Sequence, residues 1–223
     1  MNAGLKLLLT IWIAIEISFV TNLTVNLVVI GVSLIILLFT KIKWQSLFKL
    51  FFWPLFPAAG LLVSQLFYGN GGPLFAWILF TRIYAYVLVG AIFTETTDLT
   101  TLALTLEQNF HLPAKFAYGV LAAFNLLPKI VEQVKTIKTA GLMRGVVLHF
   151  WSPPQLYFKA ILASISWSEN LAEAMTSHGF VEGQRRSHRY PTRLNYLDWG
   201  LFIAVIIAFQ LLIWVATNSQ SLF

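Results

Sequence analysis

Five apolar runs, at 5–20, 23–39, 47–67, 74–93 and 198–217, restrict this chain more than any other feature. A bilayer core is crossed by roughly 17–25 predominantly apolar residues. Inside hydrocarbon, backbone polar groups must be satisfied within the segment, so runs without strand-like alternation become helices. The composition agrees: 58% of residues are hydrophobic and only 11% charged, against about 25% charged in soluble domains. The chain is therefore predicted to be an all-α integral membrane protein. About five transmembrane helices are expected, together with cytoplasmic amphipathic helices between the fourth and the fifth.

Lys6 and the run after it have the order of a secretory leader. No small-residue cleavage site follows and a second run begins at once, so a first spanning helix is predicted instead. Pro54 and Pro57 predict a kink in the third span. The glycines at 69, 71 and 72 form a turn before Pro73, with neither the strand nor the Gly-Lys-Ser/Thr sequence of a phosphate loop.

Charge placement gives the orientation. With the lysines at 41, 43 and 49 on the cytoplasmic side, the short links at 21–24 and 68–73 fall outside, and neither carries Lys or Arg. Lys6 and everything from 94 to about 196 then fall inside, as the positive-inside rule requires. Of fifteen Lys and Arg residues, Lys6, Lys41, Lys43 and Lys49 fall on the inner side, ten lie between Lys115 and Arg193, and the remaining one, Arg82, lies inside the fourth span. A multi-pass protein of the bacterial cell membrane with its N-terminus inside accounts for the net charge of +6, and no nucleic-acid partner is needed. Three regions are expected: a four-span region at 1–95, a coupling-helix region at 96–196, and a last span with a short outer tail at 197–223.

Glu16 and Arg82 are ionisable residues inside spans. Such groups face the bundle or a cavity, as an ion pathway or as structural partners. Structural pairing, or Arg82 reaching toward the outer interface, is the stronger expectation.

The segment at 96–196 is amphipathic. Leu99, Leu102, Ala103 and Leu106 follow helical spacing, and Pro113 interrupts them. Residues 113–126 are apolar and rich in Ala and Gly, a composition for close helix packing, but too soon interrupted by Pro128 to count as a span. Pro128 suits the opening turn of a further helix, in which Ile130, Val134 and Ile137 share one face. A second helix is expected after Ser152, a candidate N-cap before Pro153 and Pro154. Leu171, Ala174 or Met175, and His178 fall on its face, and Ser164, Ser166 and Ser168 lie amid Ala160, Ala163 and Ala172 as a packing surface.

These two helices end alike. Ala140, three residues, Arg144, Gly145 and Val146 match Ala174, three residues, His178, Gly179 and Phe180. Gly145 and Gly179 stand where a left-handed C′ residue is usual. A basic side chain there complements the helix dipole. Its recurrence at the end of two apolar stripes favours a pair of tips offered to a partner. The basic run at 184–189 reads as a juxtamembrane anchor to anionic lipid.

Catalytic chemistry is not legible. There is no Walker-type loop and no His-Glu-x-x-His, and there are no cysteines. The four histidines form no recognisable ligand set. No catalytic, cofactor or metal site is expected.

The stretch from Arg82 through Gly179, with its Thr-Thr-x-Leu segment, paired motif-ended helices and basic linker to a final span, resembles the transmembrane T component of energy-coupling factor (ECF) transporters. That resemblance implies a coupling subunit of an ABC-type importer without enzymatic activity of its own. It implies two ATP-binding-cassette ATPase subunits as partners, which use the ATP, and a small membrane substrate-binding S component. The coupling positions it implies are Ala140, Met143, Arg144, Gly145, Ala174, Ser177, His178 and Gly179. A vitamin or vitamin precursor is favoured as cargo over cobalt or nickel. Met143 departs from the family's Ala, and Ser177-His178 from its Ala-Arg. Histidine is shorter than arginine and lacks its fixed, forked charge, so docking at that tip is expected to be weaker or specialised. A self-contained carrier with Glu16 and Arg82 on its pathway, or a membrane scaffold, are the alternatives.

Overall fold

The computed structural model describes residues 1–40, 44–69, 71–146, 153–184, 191–192 and 194–220. Among these the regular structure is all helical, with no strand: α1 Ala3–Phe19, α2 Leu23–Phe39, α3 Trp44–Tyr68, α4 Gly72–Thr96, α5 Leu99–Asn109, α6 Ala114–Met143, α7 Pro153–Ser177 and α8 Tyr196–Gln220. Two compact units result: Met1–Thr105 with Thr192–Phe223, and Leu106–Pro191.

In the first unit α4 is the hub. Of its apolar length 44% is buried, against 11% in α3 and in α8, because small residues such as Ala76, Ala85 and Ala91 let neighbours approach. Ile17 of α1, Val25 and Val29 of α2, Ala85 and Val89 of α4, and Phe209 and Ala216 of α8 form one cluster. Leu37, Leu47, Leu88 and Ala91 join α2, α3 and α4 in a second. The remaining surface is markedly apolar, with Phe19 82%, Phe39 83% and Phe67 79% exposed, as a lipid-facing bundle requires.

Polar contacts bind the two ends of this unit. At one end Lys6 Nζ donates to the Thr96 carbonyl at 2.9 Å, and the Met1 amine lies 3.4 Å from Asp198. At the other, Asn22 caps α2 by accepting from the Thr24 N–H at 2.9 Å and donates to the Ala216 carbonyl at 3.0 Å. The starts of α1 and α8 therefore lie together with the end of α4, the alternation that successive crossings produce.

Among the described residues four helices are long and apolar enough to cross a membrane: α3, α4, α6 and α8. Three are expected spans; α6 was not expected among them. Pro128 does not open a helix but sits inside α6, so the small-residue stretch before it and the amphipathic stretch after it form one 30-residue helix. A proline in a helix interior forfeits one i→i−4 hydrogen bond and adds a ring clash, about 3 kcal/mol, and the helical residues on both sides carry that cost. At 17 residues each, α1 and α2 rise about 25 Å, the short end of a crossing. Pro54 and Pro57 also lie within one continuous helix, α3.

In the second unit α6 and α7 pack along Leu126, Ile130, Val134 and Ile137 of α6 and Ala160, Ser164, Trp167 and Leu171 of α7, all buried or half-buried. Of the expected small-residue surface, Ala117 and Ala160 are buried while Ser166, Ser168 and Ala172 are exposed. Ser152 and most of the basic run at 184–189 lie outside the described residues.

Candidate functional site

The two motif-bearing helix ends have the same backbone structure. At the end of α6, Gly145 adopts φ 72°. Its N–H donates to the Leu142 carbonyl at 3.0 Å, and the Val146 N–H to Gly141 at 2.9 Å. At the end of α7, Gly179 adopts φ 79°. Its N–H donates to Thr176, and the Phe180 N–H to Met175, each at 2.9 Å. Both are Schellman caps, in which a left-handed C′ residue satisfies two otherwise orphaned carbonyls. An L side chain is disfavoured in that conformation by about 1–2 kcal/mol, which explains glycine at both sites although open space surrounds each Cα.

The caps hold Arg144 and His178 at the cap position itself, where both side chains are exposed. Met143 is 84% exposed, and Ala140, Ala174 and Ser177 are also exposed. On the α7 stripe, Met175 and not Ala174 packs inward beside Leu171, since both line the cleft between α6 and α7. Ser177 Oγ donates to the Glu173 carbonyl at 2.8 Å. That bond adds to the final turn.

Contacts along the pair set its direction. Lys129 Nζ lies 4.5 Å from the Trp167 ring centroid. Farther toward the start of α6, Tyr118 meets Phe180 edge-on at 6.1 Å, and Lys115 pairs with Glu182 at 3.0 Å. Later α7 residues thus meet earlier α6 residues, so the helices are antiparallel and their C-terminal tips lie at opposite ends of the pair. The helix from Tyr118, beside the α7 tip, to Arg144 spans about 39 Å at 1.5 Å per residue. Lys115 and Glu182 are about half exposed, so that pair contributes little.

The intramembrane charges do not meet. Arg82 Nη2 donates to the Val20 carbonyl at 2.7 Å, and Val20 is the C-cap of α1; a guanidinium there complements the negative end of the helix dipole. Glu16 accepts from Gln210 Nε2 at 3.0 Å. No ion pair joins Glu16 to Arg82 among the described residues. Asn26, fully buried, donates to the Ile78 carbonyl at 3.1 Å and to Thr81 Oγ1 at 3.2 Å. This tie between α2 and α4 was not anticipated, although an Asn amid an apolar run was a visible signal. His111 at φ 55° is a further left-handed residue after α5, a role that histidine takes more readily than most. Among the described residues no group of three or more His, Cys, Asp or Glu is arranged to hold a metal ion.

The sequence profile of the CbiQ family, described as cobalt transport protein, matches residues 2–190. The chain belongs to that family, the T components of ECF transporters. No curated protein sequence matches it. As a CbiQ-family chain it is a multi-pass membrane component of a transporter that works in complexes with partner subunits, and the match includes both capped tips.

Proposed function

We propose that this CbiQ-family chain is the coupling subunit of an ECF-type importer, passing the ATP-driven motion of two ATPase subunits to a small substrate-binding membrane subunit. The carrying observation is the antiparallel α6–α7 pair, which presents two identically capped tips about 39 Å apart. One rigid element thereby addresses two separate grooves, and relative motion of the ATPases becomes tilt of the pair. Ala140, Met143, Arg144 and Gly145 form one docking tip, and Ala174, Ser177, His178 and Gly179 the other. Exposed Met143 supplies apolar contact beside Arg144, while Gly145 and Gly179 keep the backbone bare so that a groove can close on it. The chain needs no cofactor of its own in this scheme, and ATP is bound by the partners.

A vitamin or vitamin precursor is the proposed cargo. The family description supports cobalt as a second reading, and uptake assays of the complete complex with labelled cobalt and labelled vitamins separate the two. The purified chain alone is expected to show no ATP hydrolysis and to co-purify with ATPase subunits when these are co-expressed. Nucleotide-independent transport by the chain alone in liposomes would instead establish a self-contained carrier.

The proposed orientation places the N-terminus, the start of α3 and the α6–α7 pair in the cytoplasm of a bacterial cell, following the lysine and arginine distribution. With Tyr68→Cys and Lys138→Cys tested separately, an impermeant thiol reagent on intact cells should label position 68 alone. Labelling at 138 without labelling at 68 would invert the topology.

A further inference from the structure

Between α3 and α4 runs a cleft of about 490 Å³. Trp53, Pro54, Pro57 and Ile83 line its apolar length, and Ser46, Lys49 and Glu95 also border it. The three polar residues belong to the first turns of α3 and the last turn of α4. Because a short turn joins these helices, the polar residues lie at one end of the cleft. Among the described residues the ion pairs are Met1 with Asp198 and Lys115 with Glu182, so neither Lys49 nor Glu95 is neutralised by the other. Both are exposed. Pro54 cannot donate to the Leu50 carbonyl, and Leu50 is a further lining residue. On the far side of Lys49 lies a second groove, about 750 Å³ and lined mainly by apolar residues such as Leu34, Leu38 and Phe48.

We propose that this cleft binds an aminophospholipid. Lys49 and Ser46 take the phosphate, Glu95 takes the primary ammonium, and one acyl chain lies along Trp53, Pro54 and Pro57. The groove beyond Lys49 receives the second chain. Opposite charges at one end of an otherwise apolar cleft follow the order of such a lipid from ammonium through phosphate to hydrocarbon. A purely anionic lipid would leave Glu95 opposed by like charge. A choline headgroup has no N–H to give to Glu95. The cleft lies on two helices that cross the membrane, so the placement rests on the membrane reading but not on ATPase coupling.

Native mass spectrometry of the full-length chain, delipidated and then offered equimolar phosphatidylethanolamine, phosphatidylcholine and phosphatidylglycerol in mixed micelles, tests it. The wild type should retain phosphatidylethanolamine about tenfold better than phosphatidylcholine, the scale of one charged hydrogen bond. Glu95→Gln should bring the two near parity. Lys49→Met should lower retention of all three. Equal retention by the wild type, or a preference surviving both substitutions, would overturn the proposal. So would a photoreactive residue at position 53 that labels a protein subunit and no lipid in the assembled complex.

Discussion

A chain carrying Arg144→Glu together with His178→Glu is expected to lose both ATPase subunits in a pull-down that retains them for the wild type. Arg144 can give a charged hydrogen bond worth about 1.5–3 kcal/mol, or roughly ten- to a hundredfold in affinity, tenfold per 1.4 kcal/mol. Glutamate removes that bond and opposes the dipole at a helix C-terminus. Arg144→Ala alone should cost one to two orders of magnitude, and Arg144→Glu more. His178→Arg returns the family residue and should preserve assembly. The fold should survive all of these substitutions, because the caps are made by backbone groups of Gly145, Val146, Gly179 and Phe180 and both side chains are exposed. If the basic residues only complement the dipole, each change costs about 0.3–1 kcal/mol of helix stability and assembly is untouched. Recovery of both ATPases at wild-type yield with the double Glu variant would therefore end the coupling-tip proposal.

Arg82→Leu is expected to act in the opposite manner, lowering stability while leaving transport per folded complex near wild type. The substitution removes a 2.7 Å charged bond to the Val20 carbonyl, worth about 1.5–3 kcal/mol, and leaves the end of α1 uncapped at membrane depth. Glu16→Gln should be milder, since an amide oxygen still accepts from Gln210 Nε2. Denaturant unfolding in detergent measures the first effect, and uptake normalised to assembled complex measures the second. Uptake abolished by either substitution in a chain of unchanged stability would place these residues on a transport pathway.

Much of this was legible in the sequence because its causes are local. Apolar run length specifies α3, α4 and α8, and the scarcity of charge specifies their surroundings. The capped ends of α6 and α7 followed from Gly145 and Gly179, since only glycine adopts the left-handed conformation at no steric cost. The break at Pro113 is equally local. Pro128 misled for a physical reason: its cost of about 3 kcal/mol is fixed, whereas the helical propensity and packing of 30 residues are summed. Sequence read in short windows sees the proline and not the sum.

What the sequence by itself determined is the all-helical membrane class, the lysine and arginine asymmetry and the two glycine-ended tips, each set by residue type and spacing along one segment. Only the tertiary structure decided that Arg82 faces the Val20 carbonyl and not Glu16, that Asn26 ties α2 to α4, and that α6 and α7 run antiparallel with their tips far apart. Those outcomes depend on which helix faces meet. Apolar faces in lipid gain little from one partner over another, so small-residue packing and a few interhelical hydrogen bonds between residues distant in sequence make that choice.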